Sequence, residues 1–201
     1  MATDSKFYNR LDFMTNFFIL NVIWLIMCIP VITIFPATAA MFSVIRRWVL
    51  HKDGGAVRPF FHYFKENLKP GLLFGLIWGS LFALFYADYM LIVQMESLQI
   101  ILLPLLLLIV SLFLFTTMFL FPVMTHYQTS WKGIIRNSFL LSIAYFPTTL
   151  LAILILGLAL SLLYLWPVTF LFIFSVCAYC IFRLCYRVFL KVEEKKEKEA
   201  A

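Results

Sequence analysis

The side chains that could perform chemistry in this sequence do not form an established catalytic motif. There is no phosphate-cradling G-x-x-x-x-G-K segment, no G-x-S-x-G turn and no H-E-x-x-H helix. His51 and Asp53 could together bind a metal ion, but two such residues beside a Gly54-Gly55 turn are more simply part of a solvated loop. We therefore predict no catalytic, metal or cofactor site, and a protein that is not an enzyme.

The four cysteines are another candidate for chemistry. Cys177 and Cys180 form a C-x-x-C sequence, but they lie within the apolar run 170–182, which lacks the polar partners that a redox or metal site needs. No cysteine falls in a predicted external loop, so no disulfide framework is indicated. We interpret the four as small side chains that pack between helices.

Polar uncharged residues occur within and just beyond the first apolar stretch, at Asn16, Asn21, Thr33 and Thr38. They could line a polar path for a solute, or they could hydrogen-bond to a neighbouring helix. We favour hydrogen bonding inside the protein. Apolar stretches hold few ionisable residues, which disfavours an ion-coupled carrier without excluding a path for a neutral solute.

The elements that carry these residues belong in a membrane. The chain has 201 residues, of which 64% are apolar and 13% charged, and its mean hydropathy is +0.97. A soluble domain could not cover so much apolar surface with polar side chains. The net charge of +6 comes from basic residues beside apolar stretches, which indicates contact with anionic lipid head groups rather than with nucleic acid.

Five apolar stretches predict five spans in a single domain, 1–201, because about 20 residues cross the hydrocarbon core. We place them at about 13–34, 70–92, 104–122, 147–166 and 168–187. Lys and Arg number six between the first two stretches, two between the third and fourth, and six after the fifth. Since these residues are retained inside, the loops 46–69 and 124–146 and the charged tail 188–201 are predicted to be cytoplasmic, with the amino terminus outside.

The amino-terminal end allows an alternative. In the five-span scheme, Lys6 and Arg10 would have to cross the membrane. In the alternative, four spans follow a first segment, 13–50, that forms a bent hairpin or re-entrant element around Pro30 and Pro36. Both chain ends would then be inside.

The expected fold is an all-α bundle with two helices that lie in the cytoplasmic interface. In the first inside loop, apolar side chains can share one helical face while polar ones occupy the other. The residues of this predicted interfacial segment are Phe60, Phe61, Phe64, Lys65 and Asn67. Residues 131–139 repeat the pattern in the second inside loop.

The second span carries a small residue at every fourth position, which we call the small-residue ridge: Gly71, Gly75, Gly79, Ala83 and Ala87. In lipid, small residues let helix backbones approach closely. The ridge could therefore pack against another span of the same chain, which we favour, or it could bind a partner or a second copy of the protein.

A group of polar, proline and glycine residues between 16 and 70 forms a recognisable set: Asn21, Trp24, Pro30, Thr33, Pro36, Thr38, Arg46, Asp53 and Gly54, followed by the segment 60–67. This set resembles the YesL-like family of bacterial integral membrane proteins. The resemblance implies a multi-pass protein of the bacterial cell membrane with an accessory role beside carbohydrate importers of the ATP-binding-cassette type. It brings no catalytic residues.

Two functions follow from these observations, with an intramembrane enzyme as a third and less favoured one. The leading one is a non-enzymatic accessory protein that binds a membrane transporter through its aromatic and basic cytoplasmic loop and the small-residue ridge. The alternative is a small transporter or channel subunit, in which an oligomer encloses a polar path past Asn16, Asn21 and Thr33. Lipid head groups are expected partners in either case.

Overall fold

The protein is all-helical throughout the part of the chain that the computed structural model describes, which comprises residues 2–51, 55–95, 98–127 and 129–200. Side chains are described from residue 12 to residue 198. The helices are α1 (Ala2–Cys28), α2 (Ile34–His51), α3 (Val57–Gln94), α4 (Gln99–His126), α5 (Trp131–Ala144), α6 (Phe146–Leu165) and α7 (Ile173–Ala200). Short 3-10 turns, Val31–Thr33 and Pro167–Leu171, precede α2 and α7.

Four helices within the described residues are long and apolar enough to cross a bilayer, judged by length and composition: α3, α4, α6 and residues 173–198 of α7. The apolar part of α1, Asp12–Cys28, is shorter. The protein is thus a helical, multi-pass membrane protein, as predicted. The number of spans and their orientation stay predictions.

The first predicted span, 13–34, is not one helix. Pro30 has an extended backbone (φ −75°, ψ 114°), and the chain turns there before α2 begins. The indole N–H of Trp24 donates to the Thr38 hydroxyl at 3.2 Å, and the rings of Phe17 and Trp48 are 5.1 Å apart. Residues further back in α1 therefore meet residues further along α2, so the two helices form an antiparallel hairpin, the geometry of the alternative scheme.

The predicted interfacial segment 60–69 is not a separate helix either. It forms the first turns of α3, which continues through Pro70 into the apolar span. Phe60 is fully buried, and Phe64 packs against the core. The apolar face that the sequence assigned to lipid head groups instead covers α2, while Phe61 and Lys65 are exposed.

Prolines mark the helix ends only in part. Pro147 lies in the first turn of α6, and Pro167 follows its end, so this helix has nearly the same bounds as the predicted span 147–166. Pro104 and Pro122 instead lie inside α4, so this helix extends beyond the predicted span 104–122 at both ends. The last predicted span, 168–187, begins with a 3-10 turn, and its helix starts only at Ile173.

The core of the bundle is built around α2. Ten of its 18 residues are buried, against five of the 38 in α3, so α2 is the central helix. It contacts α1, α3, α4 and α7. Small side chains at Ala37 and Ala40, both fully buried, let these neighbours approach its backbone, and Phe182 and Phe189 of α7 fill the remaining space.

Candidate functional site

The two predicted cytoplasmic loops, 46–69 and 124–146, meet around one cavity of about 420 Å³, which is the size of a small-molecule site. Its walls come from α2, α3, α4, the segment after α4, and α5. We call it the Arg46–His126 cavity, and its lining residues are Arg46, Asn67, Pro70, Met124, Thr125, His126, Tyr127, Thr129 and Ile134.

Arg46 contributes a positive charge from α2 to the cavity wall. Its side chain is partly buried, and its Nε atom is fully buried without a hydrogen-bond partner among the described residues. A buried guanidinium N–H group without an acceptor is energetically costly. The planar guanidinium fork suits oxygen pairs of carboxylate and phosphate groups.

His126, the last residue of α4, contacts two residues of α7. Its Nε2 atom lies 3.3 Å from Oε1 of Glu193, and its ring stacks on Phe189 with a centroid distance of 4.7 Å. Because a carboxylate only accepts, Nε2 carries the proton, and in the neutral ring Nδ1 is an acceptor. Nδ1 is buried and has no partner within the described parts of the chain.

Asn67 joins α3 to α2 at the cavity wall. Its amide donates to the Tyr63 carbonyl at 2.8 Å and to the Ser43 hydroxyl at 3.4 Å. These bonds fix the turn of α3 that faces the Arg46 side chain. Asn67 therefore links α3 to α2, and its predicted interfacial role stays a prediction.

Tyr127 and the start of α5 complete the wall. Burial, and secondarily the charge of Glu193, raises the pKa of Tyr127 to about 12, so its hydroxyl stays protonated. Ser130 caps α5 by accepting from the Gly133 amide at 3.4 Å. A Cβ atom at Gly133 would lie 2.5 Å from Oγ1 of Thr129, so glycine allows that side chain to lie against the helix.

The polar residues of the first apolar stretch bind other parts of the protein. Asn21 is fully buried, donates to the Phe170 carbonyl at 2.8 Å and accepts from the Ser175 amide at 3.1 Å. Thr33 donates to carbonyls in the turn between α1 and α2. Asn16, 8% exposed, donates to Asp12 at 3.3 Å. The side chains of Asn21 and Thr33 therefore stabilise the fold.

Comparison with known proteins places this architecture in a family. A profile described as "Protein of unknown function, DUF624" matches residues 17–89. The uncharacterized protein YteU of Bacillus subtilis (strain 168) is 30% identical over 188 residues, which cover 91% of this chain and 85% of YteU. The chain belongs to this family.

A second relative, the uncharacterized protein YesL of the same organism, is 29% identical over 90% of this chain and 88% of its own length. The predicted resemblance to the YesL-like family is confirmed, and it extends well beyond residues 16–70. No solved structure matches the chain.

In this DUF624 member, the inner half of the small-residue ridge is used for internal packing. A Cβ atom at Gly71 would lie 2.7 Å from the Pro36 Cα atom, which is too close for any side chain. One at Gly75 would lie 3.4 Å from the Phe35 ring, an ordinary contact distance. Gly71 thus lets α3 lie directly on the first turn of α2.

The outer half of the ridge faces away from the rest of the protein. Gly79, Ala83 and Ala87 are exposed, and nothing lies within 4 Å of a Cβ atom built at Gly79. Among the described residues from 79 to 105, Ile92 is the only buried one. The outer parts of α3 and α4 therefore form a hairpin that protrudes beyond the core.

The other residues considered for redox or metal chemistry do not form a common site in the described part of the chain. Cys177 and Cys180 are free thiols, and His51 is exposed. Asp53 and Gly54 lie outside the described residues. Within the part of the DUF624 chain that the structure describes, no three His, Cys, Asp or Glu side chains are grouped as metal ligands would be.

Sequence reasoning missed three residues beside the cavity: His126, Tyr127 and Glu193. One signal was available, because His126 ends an apolar stretch at the predicted cytoplasmic side, where Arg46 also lies. The approach of Glu193 to His126, across 67 residues, comes from the packing of α4 on α7 and has no local signature.

Proposed function

We propose that this protein is a non-enzymatic accessory protein that binds another integral membrane protein within the bilayer. The observation that carries the proposal is the outer half of the small-residue ridge, which is exposed on a protruding hairpin while the inner half is packed. In lipid there is no hydrophobic drive between helices, so close approach through small side chains is a main source of association.

The proposed occupant of this surface is a transmembrane helix of the partner. Beside the ridge, an apolar groove of about 250 Å³ runs between α3 and α4. The exposed rings of Phe82, Tyr86 and Tyr89 line it, with 69%, 58% and 47% of their surface accessible. A second helix seated on the ridge would also cover these rings, which favours a helical partner over lipid alone.

The family resemblance suggests the identity of the partner. We propose that it is the transmembrane subunit of a carbohydrate importer of the ATP-binding-cassette type, in the bacterial cell membrane. The importer is thus the part of the proposal that rests on resemblance, while the presence of a helix-binding surface rests on geometry.

The alternative, a polar path in an oligomer, has no observation in its favour. Two of its three lining residues, Asn21 and Thr33, direct their hydrogen-bonding atoms to backbone groups of the same chain. A solute path would have to break those bonds, and each broken bond to a buried group costs about 1–3 kcal/mol.

Capture from native bacterial membranes, using matched glycine variants, tests the proposal. Gly79→Leu places a large side chain on the exposed ridge, and Gly157→Leu does the same on α6, where the Cβ position is equally open. We expect the wild type and Gly157→Leu to retain an importer subunit in stoichiometric amount. Gly79→Leu should lose it, with an unchanged thermal midpoint, because neither change meets a neighbouring atom.

Equal capture by both variants would contradict the ridge as the binding surface. Isolation of the protein only as a homo-oligomer, together with solute flux in liposomes, would support the alternative function instead.

A further inference from the structure

An apolar groove of about 340 Å³ lies where α3, α4 and α5 meet, and we call it the three-helix groove. Two of its lining side chains carry polar groups, and each of these groups bonds within the protein. The Trp78 indole donates to the Thr117 hydroxyl at 2.9 Å. The Thr116 hydroxyl donates to the Leu112 carbonyl at 2.8 Å. A polar solute would lose its hydrogen bonds to water in this groove, so the groove suits an apolar ligand.

The α5 wall of the groove adjoins two positive charges. Ile135 and Phe139 line the groove, and each is preceded by three residues by an exposed basic residue, Lys132 and Arg136 respectively. Residues three and four apart lie side by side on a helix, so these four side chains share one face of α5. Each charge is about one turn nearer the start of α5 than the apolar residue beside it.

The helices that pack against α5 offer these two charges no acidic partner. The sequence has no Asp or Glu from residue 97 to residue 192, a range that contains α4, α5 and α6. On α3, Glu66 and Asp88 both lie outside the groove-lining segment 77–85. Lys132 has its Nζ atom 5.3 Å from the centroid of the Trp131 ring, and tryptophan is enriched at membrane interfaces. An anionic group from outside the chain would complement the pair.

The charged end of the groove lies at the predicted cytoplasmic side, because α5 runs antiparallel to α4. Ile134 lines the Arg46–His126 cavity at the end of α4, whereas the ring of Phe146, just after α5, lies 5.6 Å from that of Phe115. The groove extends from α5 to Ile109, which is about 25 Å from His126 along α4. It therefore runs from the head-group level into a hydrocarbon core that is about 30 Å thick.

From this combination, we propose that the three-helix groove binds an anionic phospholipid of the inner leaflet. One acyl chain lies in the groove, and the phosphate group lies at Lys132 and Arg136. An open apolar groove inside a bilayer is filled by lipid chains, because empty space would cost its walls their dispersion contacts. The two charges then select an anionic head group over a neutral one. The inference does not depend on the proposed accessory function.

Native mass spectrometry tests the proposal on the full chain, released from an uncharged detergent. The probes are phosphatidylglycerol and phosphatidylcholine with identical acyl chains. We expect the protein to bind phosphatidylglycerol at least about tenfold more tightly than phosphatidylcholine, because two basic side chains each attract the anionic head group.

Matched charge variants test the head-group contacts. Lys132→Gln combined with Arg136→Gln should abolish the preference for phosphatidylglycerol. Lys65→Gln combined with Lys69→Gln removes two exposed charges with the same spacing from the first turns of α3, away from the groove, and should change the preference by less than about twofold. Equal losses in the two double variants would show a general attraction to basic residues and would overturn the site.

Matched tryptophan variants test the acyl-chain contact. Ile109→Trp places a large ring in the groove, whereas Leu108→Trp places the same ring on the neighbouring position outside it. Both residues are exposed, at 43% and 59%, so neither change should lower the thermal midpoint. We expect Ile109→Trp to weaken phosphatidylglycerol binding about tenfold, with Leu108→Trp unchanged. Equal binding by the two variants would contradict an acyl chain in the groove.

The capture experiment distinguishes a lipid from a partner helix in this groove. Gly79→Leu should keep its phosphatidylglycerol, and Ile109→Trp should keep its captured importer subunit, so the two proposals can fail separately. Loss of the importer subunit by Ile109→Trp, with phosphatidylglycerol still bound, would assign the groove to the partner and overturn the lipid site.

Discussion

Asn21 shows how one polar side chain can fix a membrane protein fold. Its amide bonds the Phe170 carbonyl and the Ser175 amide, on either side of the point where α7 begins. The Ser175 hydroxyl in turn donates to the Phe17 carbonyl at 3.0 Å. These bonds satisfy backbone groups that the 3-10 turn before α7 leaves outside regular helix, which explains why a buried asparagine is tolerated in an apolar stretch.

Replacing Asn21 with Ala should therefore destabilise the protein. Two backbone groups would lose their partners, at a cost of about 1–3 kcal/mol for each group left unsatisfied. The measurement is the thermal midpoint in detergent. Ser161→Ala is a suitable control, because that exposed hydroxyl bonds only to the Gly157 carbonyl of its own helix. Equal thermal midpoints for the two variants would show that the Asn21 side chain does not stabilise the fold.

At the scale of elements, hydropathy predicted which segments are helical but not where each helix ends. Pro147 and Pro167 mark the ends of α6 because the backbone leaves the helical conformation beside each of them, at Tyr145 and at Trp166. Pro70, Pro104 and Pro122 do not interrupt their helices. Proline removes a single backbone hydrogen bond, and apolar packing on both sides of the residue can hold the helix together across it.

The candidate site was less predictable than the fold. Arg46 was singled out only as part of a family motif, and its place beside His126 depends on the packing of α2 against α4. The small-residue ridge was visible in the sequence. Its inner half packs internally, which was the favoured interpretation, whereas partner binding by the exposed outer half is our proposal. Which half packs internally depends on where α2 begins, and the turn at Pro30 sets that point.

The carboxyl-terminal helix gives a prediction at this scale. The charged tail was assigned to residues 188–201, yet Val188 and Phe189 of α7 are buried at 3% and 0% exposure. Ending the chain after Glu194 should leave the thermal midpoint unchanged. Ending it after Arg187 should destabilise the protein by about 3–5 kcal/mol, because a buried phenylalanine is lost from the core along with its neighbour. Similar midpoints for the two truncations would contradict this assignment.

At the scale of the whole molecule, the α1–α2 hairpin bears on topology. Phe13, near the start of the described side chains, lies 6.0 Å from Trp48 near the end of α2. The amino-terminal helix and the first basic loop are therefore at the same end of the bundle. Combined with the Lys and Arg distribution, this geometry favours both chain ends inside the cell over the five-span scheme with an external amino terminus.

Labelling of single cysteines tests this topology. In a variant without the four native cysteines, Ala2→Cys and His51→Cys should both resist a membrane-impermeant maleimide in intact cells and react after lysis. Leu98→Cys, in the exposed turn between α3 and α4, should react from outside and serves as the control. Labelling of Ala2→Cys from outside would restore the five-span scheme.

The bonds between Asn21 and the start of α7 also have a consequence for biosynthesis. The acceptor and donor groups that satisfy Asn21 lie 149 and 154 residues later in the chain. While the ribosome is still making the intervening helices, Asn21 is already in the bilayer or the insertion machinery, and its native hydrogen-bonding partners have not yet been synthesised. A nascent chain interrupted before Ser175 therefore cannot form both of these hydrogen bonds. Its Asn21 amide would stay unsatisfied and accessible to membrane quality-control proteins, whereas the amide is buried in the finished protein.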